Sequence, residues 1–394
     1  MQKFLIALIL LAISMTLAQT ASSQPGKPQY KLLTDDKYDG ATDFSEGLAA
    51  VKVNHQWGFI DRTGKMVIPA QFNPWQQQFN ARFSEGLVAV SRVLDKPSGK
   101  EIHDPFGAKW GFADKTGKVV IAPRFDGDYY SPPHFANGLA VISGRFIGTT
   151  IKTAGLNTKY GYIDKTGKFV IPQIYDDALD FYEDLASVKL GDKYGFIDKT
   201  GKLVIPAMYD APSYFKDGIA IVVQNKISFA IDKQNKKVLE KGFSELSPFF
   251  EGLARFEEND KIGFIDIKGN VKIKPTLDFG NPQSQRMMYF SEGLCIFEDG
   301  ASAPRDKQGN FHGKFGYINK DGKVAIPAQF DYAGPFKNGL AIVSQSGYYG
   351  YIDKTGKFVI QPVFANAGYF IDGIARVSGG GGFADYKYRF IKLN

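Results

Sequence analysis

Apolar positions along this chain fall in short runs separated by polar turns, and the same order of runs returns many times. One clear instance reads Leu185-Ala-Ser-Val188, then Tyr194-Gly-Phe-Ile197, the polar stretch Asp198-Lys-Thr-Gly201, and Leu203-Val-Ile205. Runs of this length bounded by turn residues predict β-strands, and no long 3.6-residue periodicity appears after the first eighteen residues. Each phrase therefore predicts a three-stranded meander. In its second strand Trp57 and Phe59 face one way and Gly58 and Ile60 the other. Both faces are apolar, as in sheets covered on both sides, so small sheets stacked face to face are expected. The bare Gly58 is expected to let a neighbouring ring approach the backbone.

The turn chemistry supports this reading. Asp198 can accept hydrogen bonds from the backbone just ahead, and Gly201 can adopt the left-handed conformation that closes a short hairpin. The same glycine recurs at Gly64, Gly117, Gly167, Gly269, Gly322 and Gly356, with Asn235 in the equivalent slot. Asn is the next-best residue at positive φ, so the slot selects a backbone angle rather than a chemical group. Pro69, Pro172, Pro206 and Pro327 end third strands, because proline has no N–H for a ladder. Dipeptides such as Glu46-Gly47, Glu85-Gly86 and Asp217-Gly218 mark a further turn before the next unit.

Gly167, Gly201, Asn235 and Gly269 stand 34 residues apart, a period that signals a repeat architecture. Longer intervals, such as the 53 residues from Gly64 to Gly117, mark insertions. The segment from Leu32 through Tyr38-Asp39 to Phe44 matches the tail of a unit, and Phe370–Val377 with Tyr388–Ile391 matches a head. The two make one more unit, split between the ends, for about nine in all. A split unit is how closed propellers seal their ring. The fold expected is thus all-β, tandem three-stranded meanders, with a propeller-like ring favoured over an open superhelix whose ends would be frayed caps.

Ahead of the repeats, Lys3 and the apolar stretch Phe4–Leu17 read as an export signal, too short to span a bilayer, with small residues placing cleavage after Ala18. Residues 19–29 read as a flexible linker and 30–394 as the repeat domain. Export implies a periplasmic or extracellular protein, with no membrane span after cleavage. The single Cys295 excludes an internal disulfide framework and a cysteine-based zinc site, and 33 Phe and 20 Tyr supply packed area instead. The formal charge of +7 is spread out, with no run that would make a nucleic-acid arm.

The phrases Gln56-Trp57-Gly58-Phe59-Ile60-Asp61, Lys109-Trp110-Gly111-Phe112, Lys159-Tyr160-Gly161-Tyr162, Lys193-Tyr194-Gly195-Phe196, Lys314-Phe315-Gly316-Tyr317 and Tyr349-Gly350-Tyr351 resemble the WG-repeat family of bacterial proteins. The resemblance covers Tyr30 to Asn394. It implies no common activity or catalytic residue. One unit departs from it, with Ser228-Phe229-Ala230 in place of aromatic-Gly-aromatic.

Candidate chemistry is sparse. His55, His103, His134 and His312 show no metal-ligand spacing, and no nucleophile elbow or phosphate loop is present. The repeated Asp61, Asp114, Asp164, Asp198, Asp232, Asp266 and Asp353 are accounted for by turns. A cofactor, a metal and an enzymatic activity are therefore not expected. The repeated aromatics read as core filling rather than a carbohydrate array. Lysines flank the turn tips at Lys115 and Lys118, Lys165 and Lys168, Lys199 and Lys202, and Lys354 and Lys357, where a shared direction would make a basic rim. Insertions lie at Ser91–Ala108, Ser143–Thr158, Glu298–Gly313 and Gly379–Gly382, and at Asn73–Arg82, Gly127–His134 and Gly280–Tyr289. They carry Trp75, His103, Phe106, Tyr129, Tyr130, Phe311 and His312, which the repeat does not require, and these are the candidate binding residues. The function expected is an exported binding or scaffolding module that contacts a protein or envelope partner through inserted loops. Binding of a glycan or wall polymer through exposed aromatics is the alternative, and a hydrolase the third reading.

Overall fold

The computed structural model describes residues 30–34, 38–72, 82–93, 108–126, 132–146, 157–277, 287–299, 313–379 and 387–394. The expected leader 1–18 and linker 19–29 lie outside them. The described residues form antiparallel sheets and no helix. In the reference unit Leu185–Leu190 pairs with Lys193–Asp198, which pairs with Leu203–Tyr209. A two-residue strand, Asp177–Ala178, joins the free edge of the first. The apolar pattern does not announce this fourth strand, because two residues are too few to show alternation.

Local chemistry accounts for the turns. Asp198 Oδ1 accepts the amides of Thr200 and Lys202 at 2.9 and 3.1 Å and the Thr200 hydroxyl at 2.6 Å. Gly201 stands at φ 84° and Asn235 at φ 63°, so the slot does select a left-handed backbone.

The glycine of the second strand has a different neighbour from the one expected. Pairing between second and third strands slips at Tyr194/Phe196 and again at Phe196/Ile197, and the resulting bulge lays the third strand across Gly195. A Cβ there would stand 2.5 Å from the Ile205 carbonyl oxygen and 2.8 Å from the Ala207 nitrogen. At Gly58 the obstruction is again backbone, from Ile68 to Ala70, rather than an aromatic ring. Phe229 occupies this slot in the departing unit. Its third strand is reduced to isolated bridges, Ser228 to Phe243 and Ile231 to Lys237.

We number the units by their first strands: Leu48–Val53, Leu87–Val93, Leu139–Phe146, Leu185–Leu190, Ile219–Gln224, Leu253–Glu258, Leu294–Asp299, Leu340–Gln345 and Ile374–Gly379. Unit 9 is completed by the other end of the chain. Tyr30–Leu32 pairs with Tyr388–Leu393, Tyr30 opposite Leu393. Lys387 is hydrogen-bonded to Asp39 across the same junction.

Apolar burial confirms closure. Each of nine buried clusters is shared by two consecutive units. Trp110 and Phe112 of unit 2, for example, pack with Phe135 and Ile142 of unit 3. Ile374 and Phe390 of unit 9 pack with Val51 and Ile60 of unit 1. An open stack of nine units would leave its end faces unshared, so these units form a propeller-like ring.

The meander puts the Glu-Gly and Asp-Lys-Thr-Gly turns at one end of each unit. The connections between first and second strands, and the links into the next unit, lie at the other. The ends of the first and third strands from which the insertions leave therefore lie at one end of the ring. In unit 3 the ladder continues to Phe146 opposite Asn157, so the Ser143–Thr158 insertion is shorter than the sequence implies.

Candidate binding site

One set of repeating polar residues holds neighbouring units together. Lys115 of unit 2 pairs with Glu46 of unit 1 at 3.1 Å, and Lys165 of unit 3 with Glu85 of unit 2 at 3.1 Å. Lys233–Glu183, Lys320–Glu251 and Lys354–Glu292 repeat the contact at 3.2, 3.0 and 3.1 Å. Arg62 and Asp372 make it between units 1 and 9. Each glutamate also accepts amides of the next unit's turn, as Glu46 does from Glu85 at 2.6 Å and Gly86 at 3.0 Å. Burial pushes the Glu46 carboxyl up, but Lys115 and these amides outweigh it and hold the group below the usual carboxylate range. The basic rim is corrected accordingly. Lys115, Lys165 and Lys354 are neutralised across seams, and Lys199 by Asp184 at 2.6 Å. Lys118, Lys168, Lys202 and Lys357 remain exposed.

The repeated aromatics are core. Trp57 is 3% exposed and Trp110 fully buried, as are Tyr162 and Tyr317. Both of these tyrosines donate a hydrogen bond to a carbonyl of the following unit, Leu179 at 2.7 Å and Gly334 at 2.8 Å. Burial pushes both phenols up.

Residues that break the repeat converge elsewhere. The third position of the first strand holds Ala50, Ala89, Val141, Ser187, Ile221, Ile296 or Ile342, but Arg255 in unit 6 and Arg376 in unit 9. Arg255 is 8% exposed and paired with Glu245. The position after the Glu-Gly turn's leading Phe is serine in units 1, 2 and 7, where Ser45, Ser84 and Ser291 donate to the next unit's carbonyl. It is Tyr182 in unit 4, Lys216 in unit 5 and Phe250 in unit 6. Lys216 donates to the Phe249 carbonyl at 2.9 Å, and its ammonium lies 4.3 Å from the Phe250 ring centre. Tyr289 of unit 7 meets Phe250 at 4.5 Å with a 30° tilt. A Lys216–Phe250–Tyr289 stack thus bridges three units. It spans the seam where Ile267 replaces the turn lysine that pairs across other seams.

Beside this stack a cleft of about 310 Å³ is lined by Tyr214, Glu245, Leu246, Ser247, Pro248, Phe250, Arg255, Met288 and Tyr289. Tyr214 rests on Tyr182 at 5.1 Å. These residues border the short-strand edge of their units. There the charge of Arg82 in unit 2 acts on Tyr182 in unit 4, and Tyr289 in unit 7 acts on Tyr369 in unit 9. Units two apart approach this closely only near the axis, so the cleft opens on the inner edge of the ring. Behind the lining residue Glu245, burial and the charges of Glu245 and Asp260 push the Glu257 carboxyl up.

The seven sequence candidates, Trp75, His103, Phe106, Tyr129, Tyr130, Phe311 and His312, all lie outside the described residues. The Gly280–Tyr289 insertion ends on a cleft residue, Tyr289. The others, Tyr214, Glu245, Phe250 and Arg255, were missed. For Phe250 and Arg255 the signal was departure from the residues other units place at the same position, not insertion. Among the described residues no group of three His, Cys, Asp or Glu side chains is placed to hold a metal ion.

A model of the WG-containing repeat matches this chain at residues 37–54, 57–73, 110–143, 160–194, 194–226, 230–261, 262–300, 315–349 and 349–381. No curated protein matches the sequence. Among solved structures, a eukaryotic initiation factor aligns over 91% of this chain and 93% of its own, with 10% identity and a TM-score of 0.56. That likeness is one of fold. The Pan2 WD40 domain of Neurospora crassa aligns over 66% of this chain and 88% of its own, at 12% identity and a TM-score of 0.32.

Proposed function

This chain belongs to the WG-containing repeat family, and on that premise we propose that it is an exported, non-enzymatic binding module that holds a protein partner at the inner cleft of its ring. The observation that carries the reading is the division of labour among its polar and aromatic residues. Many repeating residues hold seams and fill the core, whereas Tyr182, Phe250 and Arg255 depart from the repeat and meet Tyr214 and Tyr289 around one cleft. Side chains that the scaffold does not require, placed together on a rigid support, are what a binding site needs. The inserted loops, which carry the candidate residues marked in the sequence, are expected to add contacts to the same partner. The turn carboxylates are occupied by their own backbone amides, which favours binding over hydrolysis. A sugar platform needs a free ring face, and the Phe250 ring is already engaged by Lys216 and Tyr289. This favours a protein partner over a glycan.

Photo-crosslinking tests the reading. Benzoylphenylalanine at Tyr182 or Tyr214 is expected to capture envelope protein, whereas the same group at the outer-edge Val204 captures none. Combining the crosslinker with Tyr289→Ala should abolish capture. Equal capture from Val204, or retention of soluble wall polymer by the wild type and not by Tyr289→Ala, would overturn it.

A further inference from the structure

We propose that the inner cleft takes a proline-rich segment of the partner in an extended, polyproline-like conformation, its rings against Tyr214 and Tyr289 and its carbonyls on the hydrogen-bond donors beside them. This rests on the binding-module reading and specifies the partner's chemistry.

The lining is neutral and rich in donors. Among its described residues the single carboxylate, Glu245, is paired with the single cation, Arg255, so neither sign of charge is favoured. Ser247 is satisfied, accepting the Arg255 amide at 2.9 Å and donating to the Pro248 carbonyl at 3.0 Å. The Arg255 guanidinium makes one side-chain hydrogen bond, to Glu245, and carries further N–H groups. The Tyr214 and Tyr289 phenols make no hydrogen bond to another described residue. In the core, by contrast, Tyr162 and Tyr317 each spend the hydroxyl on a carbonyl. The cleft therefore offers donors that the scaffold does not use. An ordinary extended peptide brings an N–H with every carbonyl, and those N–H groups would find few acceptors here. Proline brings the carbonyl without the N–H. A polyproline helix leaves its carbonyls without internal partners, and it is ordered before it docks. The apolar walls fit the same ligand. Tyr214, Phe250, Met288 and Tyr289 supply ring and thioether surface, and aromatic-lined grooves receive proline rings. The volume, about 310 Å³, is at the small end for ligand pockets, the size of a side-chain anchor site rather than of a cofactor site.

The measurement is fluorescence anisotropy of three labelled peptide series on the intact protein: Leu-Pro-Pro-Leu-Pro cores, the same cores with Ala for Pro, and the same with Glu for Pro. The proline series is expected to bind, with little change as salt rises, because the lining carries no net charge. Tyr214→Phe and Tyr289→Phe keep the ring and remove the hydroxyl. Each should weaken binding about fivefold, the scale of one hydrogen bond, with the melting temperature unchanged. A ring that served packing alone would not respond to that change. Tyr289→Ala should weaken binding further, and circular dichroism verifies that the variant is folded. If the alanine series binds as well as the proline series, the proline assignment is overturned and the binding-module reading stands. Tighter binding of the glutamate series, falling steeply with salt, has the same consequence. If no series binds, the proline assignment falls, and the binding-module reading is decided separately by crosslinks from Tyr182 and Tyr214. If the wild type instead self-associates through this cleft, with loss in Tyr289→Ala, the partner is a second copy of the chain and the assignment to a different protein is overturned.

Discussion

The Glu46 carboxylate leaves its own unit to hold Lys115 of the next at 3.1 Å, while its backbone stands at φ 50°. A left-handed backbone costs an ordinary residue about 1–2 kcal/mol, and Asn or Gly would meet the angle with less strain. The glutamate persists in this slot because its carboxylate gathers two amides and an ammonium from the neighbouring unit. Glu85, Glu251 and Glu292 stand at φ 53°, 50° and 53° with the same partners in their own seams. The contact therefore ties local strain to ring cohesion.

Stability should accordingly fall in acid. Burial pushes Glu251 and Glu292 up, but their lysines and amides outweigh it and hold both below the ordinary value. The Thr63 and Thr116 hydroxyls and the turn amides lower Asp61 and Asp114, and the Asn270 amide with its neighbours takes Asp266 to about 2. Folded values below unfolded ones stabilise the protein fully above the unfolded carboxylate pKa of about 4, and that stability is lost as pH falls through the folded values. Thermal melts should be level from about pH 7 to pH 5 and drop between about pH 4 and pH 2. A melting temperature that held steady to pH 2 would contradict the argument.

Trp57 and Trp110 fill seams between units 1 and 2 and between units 2 and 3. Truncation of either to Ala should cost roughly 3–5 kcal/mol in urea unfolding, the range for large buried aromatics. An unchanged midpoint would mean that the ring is not held by these seams.

The two glycine slots should respond differently. Gly195→Ala drives a Cβ to within 2.5 Å of the Ile205 carbonyl, so the third strand must shift, at a cost of about 1–3 kcal/mol. Gly201 has more room, its nearest atom being Ile171 Cγ2 at 3.3 Å. Gly201→Val should cost about 1–2 kcal/mol from backbone angle alone, and Gly201→Asn less, because Asn235 already serves that slot. Equal losses for Gly201→Val and Gly201→Asn in denaturant melts would count against the left-handed assignment.

Ring closure can be tested by rewiring. Because Tyr30 pairs with Leu393, a short Gly-Ser linker joining residue 394 to residue 30, with new ends opened within residues 94–107, should leave the fold intact. Cutting the ring without that linker by removing residues 1–34 should lower the urea midpoint, since unit 9 loses its third strand. A permutant that fails to fold while the truncated chain melts normally would favour an open stack.

The sequence by itself determined the three main strands of a unit, the turns and the split unit, but not that third strands expected to end at Pro69, Pro172, Pro206 and Pro327 run on to Phe72, Tyr175, Tyr209 and Phe330. Leu185-Ala-Ser-Val188, Asp198 and Gly201 act within a few residues of one another, where alternation, side-chain reach and backbone angle are set locally. The complementary ends, Leu32 to Phe44 and Phe370 to Ile391, followed from the same repeat. Only the tertiary structure decided what crosses a seam. The pairing of the turn-tip lysines was not legible, because Lys115 and Glu46 are 69 residues apart and nothing local pairs them. Gly58 read as a space for a ring because the bulge that lays the third strand over it depends on register. The cleft was illegible for the same reason. Tyr214, Arg255 and Tyr289 come from units 5, 6 and 7, and each is unremarked until ring closure packs three units side by side. Local pattern encodes which surface a unit has, and the packing of whole units decides which surfaces meet.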